Sequence, residues 1–193
     1  MAQVASFTLE SPIPAQNLLI ALNHTLPISV RVTEAKEVQP EFHARHSANA
    51  KTYEYRIFRG DLCSPFVARY VHPHPYPLDE DAMKRAASLV VGKHDFTSFA
   101  AVDPERGEDD EELDNVRAIF SSEWRRHGDL LVYKVRGDGF LHHMVRNLVG
   151  TFLLVGKGSL VPDSITEILA ARRRAEAGPT APASGLFLVS VEY

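Results

Sequence analysis

Two strand-like runs joined by "RRHGDL" constrain the fold of this chain more than any other feature. "NVRAIFSSEW" and "LLVYKVR" are rich in β-branched and aromatic residues, and Gly128 between them suits a tight connection. Asn115 to Arg136 is therefore predicted to form an antiparallel hairpin with a short loop. Further strands are expected at "QVASF", "ISVRVTEA", "KTYEYRIF" and the terminal "GLFLVSVEY". Helices are expected at "AQNLLIALNHTL", which follows Ser11 and Pro12, and at "DEDAMKRAASLVV", with Asp79 as N-cap and Gly92 as the stop. Both read as surface helices laid on a sheet. Helices and hairpins without strict βαβ alternation give an α+β chain with a mixed, largely antiparallel sheet and flanking helices. "VDPERGEDDEELD" reads as an acidic loop and "EAGPTAPASG" as a small-residue linker before the last strand. No internal repeat is found.

With 193 residues, 45% of them hydrophobic, the chain can fill the core of one sizeable domain, or of two small ones sharing a sheet. Lys and Arg total 21 against 25 Asp and Glu, a net charge of -4, so any nucleic-acid surface must be a local patch. One cysteine, Cys63, excludes an internal disulfide and a multi-cysteine metal cage, and it is expected to be a small buried hydrophobe. The first ten residues lack the basic and apolar regions of a signal peptide, and the longest apolar run, Val149 to Val155, is too short to span a bilayer. The expectation is a soluble, cytoplasmic protein that does not engage membranes.

Metal binding is the first chemistry to weigh, because nine histidines include "HPH" at 72–74, "FHARH" at 42–46 and the pair His142 and His143. None sits in a ligand frame: there is no His-Glu-x-x-His, no cysteine pair, and prolines surround His72 and His74. Nucleophilic hydrolysis has no Gly-x-Ser-x-Gly elbow, and "GKGS" at 156–159 lacks the spacing of a phosphate loop.

"AKTYEYRIF" carries more. Period-two alternation sends Tyr53, Tyr55 and Ile57 to one face and Thr52, Glu54 and Arg56 to the other. Such a face can be core packing alone. Upstream, however, "EFHARHSANAK" places Arg45, Lys51 and two histidines near the aromatic Phe42, a combination suited to RNA, whose bases stack on rings and whose phosphates meet guanidinium groups. A local RNA patch is expected around Arg45, Lys51 and Arg59.

"GFLHHMVRN", Gly139 to Asn147, opens an apolar run. On a helix from about Phe140 to Val155, Leu141, Met144, Val145, Leu148 and Phe152 share one face, with His142, His143, Arg146 and Gly150 opposite. A deeply packed helix with an arginine near its start calls for a carboxylate or phosphate partner, because an unpaired buried charge is costly. An ordinary structural salt bridge would meet the same need.

Taken together, "FHARHSANAKTYEYRI", "GKHDFTSF", "DGFLHHMVRNLVG" and "GLFLVSVEY" resemble the tRNA pseudouridine synthase A family over almost the whole chain and in order. That resemblance implies the pseudouridine synthase fold, one domain over 1–193, no cofactor, a homodimer, and isomerisation of uridine to its C-glycoside in the anticodon arm of tRNA. It matches Tyr53 with the tyrosine that stacks on the target uracil and Arg146 with the basic residue that pairs with the catalytic aspartate. It matches Phe42, His43, Ala44, Arg45 and His46 with one RNA-contacting segment, and the loop around Asp103 to Gly107 with another.

Family members carry an Arg-Thr-Asp motif, whose aspartate is the nucleophile, just before a strand similar to "QVASF". This sequence starts at that point, so the nucleophile is expected to be absent and these 193 residues inactive alone. Carboxylates in "ERGEDDEELD" are a second departure, since they would repel phosphate. Two alternatives stay open: a tRNA-binding remnant without catalysis, and an unrelated metal-dependent hydrolase.

Overall fold

The computed structural model describes residues 3–102 and 114–193. The expected RNA-contacting loop at Asp103 to Gly107 lies outside the described residues. The chain divides into two compact units, one being Val4–Ala48 and the larger one including Asn49–Tyr193.

In the smaller unit, α1 (Ala15–Thr25) follows Pro14 and buries none of its residues. "QVASF" and "ISVRVTEA" were both expected as strands, and neither forms one. A strand requires a partner for its backbone groups, and none of the ladders among the described residues includes these segments.

The larger unit is built on β1 (Ala50–Phe58). β5 (Leu130–Gly137) runs antiparallel along one side of it, in register from Lys51 opposite Gly137 to Phe58 opposite Leu130. Its other side is shared: β6 (Leu186–Glu192) pairs antiparallel with Ala50 to Tyr55, and the two-residue β2 (His72–Pro73) pairs parallel with Ile57 and Phe58. Beyond β5 lie β4 (Val116–His127) and then β3 (Gly92–Asp95). β4 and β5 form the expected hairpin, turning at Gly128, whose φ of 57° is strained for residues with a Cβ.

Alternation then decides which side of the sheet is covered. Tyr55, Ile57, Leu131, Tyr133, Val135, Ile119 and Trp124 are buried in one core. Onto it pack α2 (Glu80–Ser88) and α3 (Met144–Gly156), giving the two-layer arrangement expected of an α+β chain. Asp79 caps α2 by accepting from the Ala82 amide at 2.8 Å, but the helix ends at Ser88, and Gly92 instead starts β3 with φ 112°. α3 is buried almost all round, and Phe152 packs against both Tyr133 and Trp124 at ring separations of 5.3 and 6.3 Å. A fourth helix, α4 (Ser164–Ala171), adds Ile165, Ile168 and Leu169 to the core and was not anticipated. Cys63 is only half-buried, because it lies on the irregular segment between β1 and β2 rather than under the helices.

"EAGPTAPASG" is not a free linker. It straps across α3. Gly178 lies so close that a Cβ there would stand 2.8 Å from the Thr151 Cα, and a Cβ on Gly150 would stand 1.6 Å from the Pro179 carbonyl oxygen. The Thr151 hydroxyl accepts from the Gly178 amide at 2.9 Å, and the Ala181 amide donates to the Arg146 carbonyl at 3.1 Å.

Candidate active site

α3 begins at Met144, not near Phe140. Residues 137–143 form a turn that is fastened on two sides. Asp138 accepts from the Ala118 amide at 2.9 Å and returns its own amide to the Ala118 carbonyl at 3.0 Å. The Ala101 amide donates to the His142 carbonyl at 3.0 Å. His143 then takes a left-handed φ of 57° to launch the helix. The two histidines therefore do not diverge as helical neighbours would; their rings stack with centroids 4.0 Å apart.

Arg146, in the first turn of α3, is half-buried, and its Nε donates to the Ala181 carbonyl at 2.6 Å. Among the described residues no carboxylate lies within 4 Å of it. Its neighbour Asn147 is fully buried and explains how Arg146 is held. The Asn147 Nδ2 donates to the Phe99 carbonyl at 2.7 Å, while its Oδ1 accepts from Arg174 at 3.1 Å and from the Thr180 hydroxyl at 2.7 Å. Sequence reading passed over this network; a lone asparagine at the head of an apolar helix was its signal.

Tyr53 and Tyr55 lie on the face of β1 that α3 covers. Tyr55 is fully buried, donates to the Pro182 carbonyl at 2.8 Å, and feels the Arg146 charge. Burial raises its phenol pKa, with that charge pulling weakly the other way. Tyr53, two residues nearer the start of β1, is half-buried, and burial keeps its phenol neutral by raising its pKa. A shift in the β1–β6 register between Thr52 and Tyr53 sits at this residue, and the Tyr53 ring meets Phe140 edge-on, with centroids 5.1 Å apart and planes at 79°. Tyr53 thus lies on the sheet face that α3 covers, and Arg146 lies in the first turn of that helix, near enough for its charge to act on Tyr55. His143 belongs to the same region; burial, then His142, Arg146 and Arg174, lower its pKa and favour the neutral imidazole.

The expected RNA residues are divided between the two units. Phe42, His43, Ala44, Arg45 and His46 lie in the smaller unit, where the His43 Nδ1 accepts from the Arg45 and His46 amides and the rings of His43 and His46 approach to 4.4 Å. This leaves the Arg45 side chain exposed. Lys51 and Arg59 belong to the larger unit but flank opposite ends of β1, roughly 25 Å apart on an extended strand. The Arg59 side chain is only 8% exposed, donates to the carbonyls of His74 and Tyr76, and lies 3.9 Å from Glu80. It is built into the fold.

No group of three or more potential metal ligands exists among the described residues, and no helix there is long and apolar enough to cross a membrane. What the larger unit offers is an aromatic ring fixed on a strand and, at the start of a buried helix, an arginine that has donor capacity left over among the described residues. A planar base can stack on the first, and an anionic oxygen can be held by the second.

The family model for tRNA pseudouridine synthase matches residues 86–193. The tRNA pseudouridine synthase A of Solibacter usitatus (strain Ellin6076) is 52% identical over 193 residues, covering 100% of this chain and 76% of that protein. Those of Bacillus pumilus (strain SAFR-032) and Moorella thermoacetica (strain ATCC 39073 / JCM 9320) are each 44% identical, over 99% of this chain and 75% of their own lengths. With an α+β fold, a family match over more than half of its length and relatives this similar, the chain belongs to the tRNA pseudouridine synthase family.

Proposed function

We propose that the protein acts as a tRNA pseudouridine synthase, an isomerase that converts uridine to its C-glycoside in the anticodon arm of tRNA. The observation that supports the reading is Tyr53 on the face of β1 that α3 covers, with Arg146 in the first turn of α3, in a chain 52% identical to a relative of that name. Tyr53 is the platform for the extruded uracil, extrusion costing a few kcal/mol. Arg146 pairs with a nucleophilic aspartate and favours its ionised form. That aspartate attacks the ribose, the N-glycosidic bond breaks, and the uracil turns and rejoins through C5. The reaction as proposed uses protein side chains and no cofactor.

We infer that the 193 residues by themselves do not turn over uridine, a reading supported by the lack of a carboxylate within 4 Å of Arg146 among the described residues. The test is tritium release from 5-tritiated, unmodified tRNA, with the chain alone and with a fused segment bearing Arg-Thr-Asp. Turnover is expected only in the second case, and Arg146→Ala should lower it at least about a hundredfold. Turnover by the chain alone would place the nucleophile elsewhere.

Arg45 and Lys51 are proposed RNA contacts, supported by the exposure of Arg45 and the half-exposed position of Lys51 at the start of β1. The protein is further proposed to be cytoplasmic, where tRNA is met, and a homodimer. Leu62 and Phe66, 91% and 88% exposed, support a second copy by presenting apolar surface that association would cover.

A further inference from the structure

We propose that Phe140 is a positioning residue that sets the plane of the Tyr53 ring, and that the 137–143 turn exists to hold Phe140 still. The proposal rests on the reading of Tyr53 as the base-stacking platform. A tyrosine on a strand has its location fixed by the backbone, but its second torsion is broad and two-fold, so the tilt of the ring must come from a neighbour. Across the ladder, Tyr53 faces Val135 on β5 and Leu188 on β6, which confine the ring laterally. Opposite this point β6 carries an extra residue, Val189, between the partners of Thr52 and Tyr53, so the ladder is locally irregular beside the ring. Phe140 then meets the ring edge-on at 5.1 Å and 79°, the geometry aromatic quadrupoles prefer.

Phe140 is itself constrained by its turn. Gly137 permits a backbone approach that no other residue would, since a Cβ there would lie 2.8 Å from the Ala118 carbonyl oxygen. Asp138 makes a reciprocal pair of hydrogen bonds with Ala118. After Phe140, the His142 carbonyl accepts from Ala101, and the His142 Nδ1 lies 2.9 Å from the Val102 carbonyl. An aromatic side chain fastened on both sides of its turn gives Tyr53 a stiff buttress, and a stacking platform that does not tilt loses less freedom when a base arrives.

A double-mutant cycle in RNA binding tests this with the full 193-residue chain and a labelled, unmodified tRNA transcript at low salt. Tyr53→Ala should weaken binding about tenfold, the loss of one stacked base. Phe140→Leu should weaken it about threefold, Phe140→Tyr should restore it, and the double variant should be no worse than Tyr53→Ala alone. Should Phe140→Leu melt at the assay temperature, Asp138→Asn, which leaves every apolar side chain in place, carries the cycle in its stead with the same expected pattern. Additive losses, about thirtyfold in the double variant, overturn the positioning role while leaving Tyr53 as the platform. Binding that is absent, or indifferent to Tyr53→Ala, overturns the platform and the proposal with it.

Discussion

His74 shows how one residue can set the acid limit of a fold. It is 6% exposed, its ring lies 5.5 Å from that of Tyr76, and its pKa is pushed down to about 4 by burial first and then by Lys157, His72 and Arg59. The folded protein therefore holds this imidazole neutral, whereas in the unfolded chain it protonates near pH 6.5. Stability from this source is fully present above about pH 6.5 and drains away as pH falls from there toward 4, with a ceiling of about 3 kcal/mol. His72 is shifted the same way and steepens the loss. Urea denaturation at stepped pH should show the slope, and His74→Gln should flatten it; an unchanged slope would assign the acid sensitivity to other groups.

The strap over α3 is the element on which the candidate site depends. It supplies the carbonyl that orients Arg146, the carbonyl that receives the Tyr55 hydroxyl, and the Thr180 hydroxyl that completes the Asn147 network. Its seat is made by Gly150 and Gly178, where helix and strap approach too closely for any side chain. Gly150→Ala would favour the isolated helix, yet here its Cβ collides with the Pro179 carbonyl. The collision should win, lowering stability by roughly 2–3 kcal/mol and the urea midpoint with it, at unchanged m-value. A neutral or stabilised variant would mean that the strap lifts away freely.

For the whole molecule, net charge -4 makes binding to a polyanion a matter of where the cations are. If Arg45 and Lys51 meet phosphate, each replaced by Ala should weaken tRNA binding across sequences and lower the salt slope by nearly one. Arg59→Ala should instead cost stability and leave the slope alone, because Arg59 is spent on Glu80 and the His74 and Tyr76 carbonyls. Titrations at several salt concentrations separate the two behaviours; a slope that falls with Arg59→Ala would return that residue to the RNA surface.

Local pattern was enough to find the β4–β5 hairpin, β1, β6, α1, the Asp79 cap and the covered face of Tyr53, Tyr55 and Ile57. Each of these is encoded within a few residues, through alternation, turn glycine or capping chemistry. Tyr53 and Arg146 are proposed as site residues from the motifs in which they stand. Only tertiary structure decided the rest. "QVASF" and "ISVRVTEA" carry strand composition, but a strand is completed by a partner that local sequence does not specify. The helix expected from Phe140 starts at Met144 because Asp138 and His142 are tied to Ala118 and Ala101, contacts between residues distant in sequence. Arg59 looked like an RNA contact until its Glu80 neighbour and two carbonyls were in place around it. A small-residue stretch became the clamp on Arg146 because two glycines far apart in the chain let backbones touch, and close approach is a property of the packed molecule.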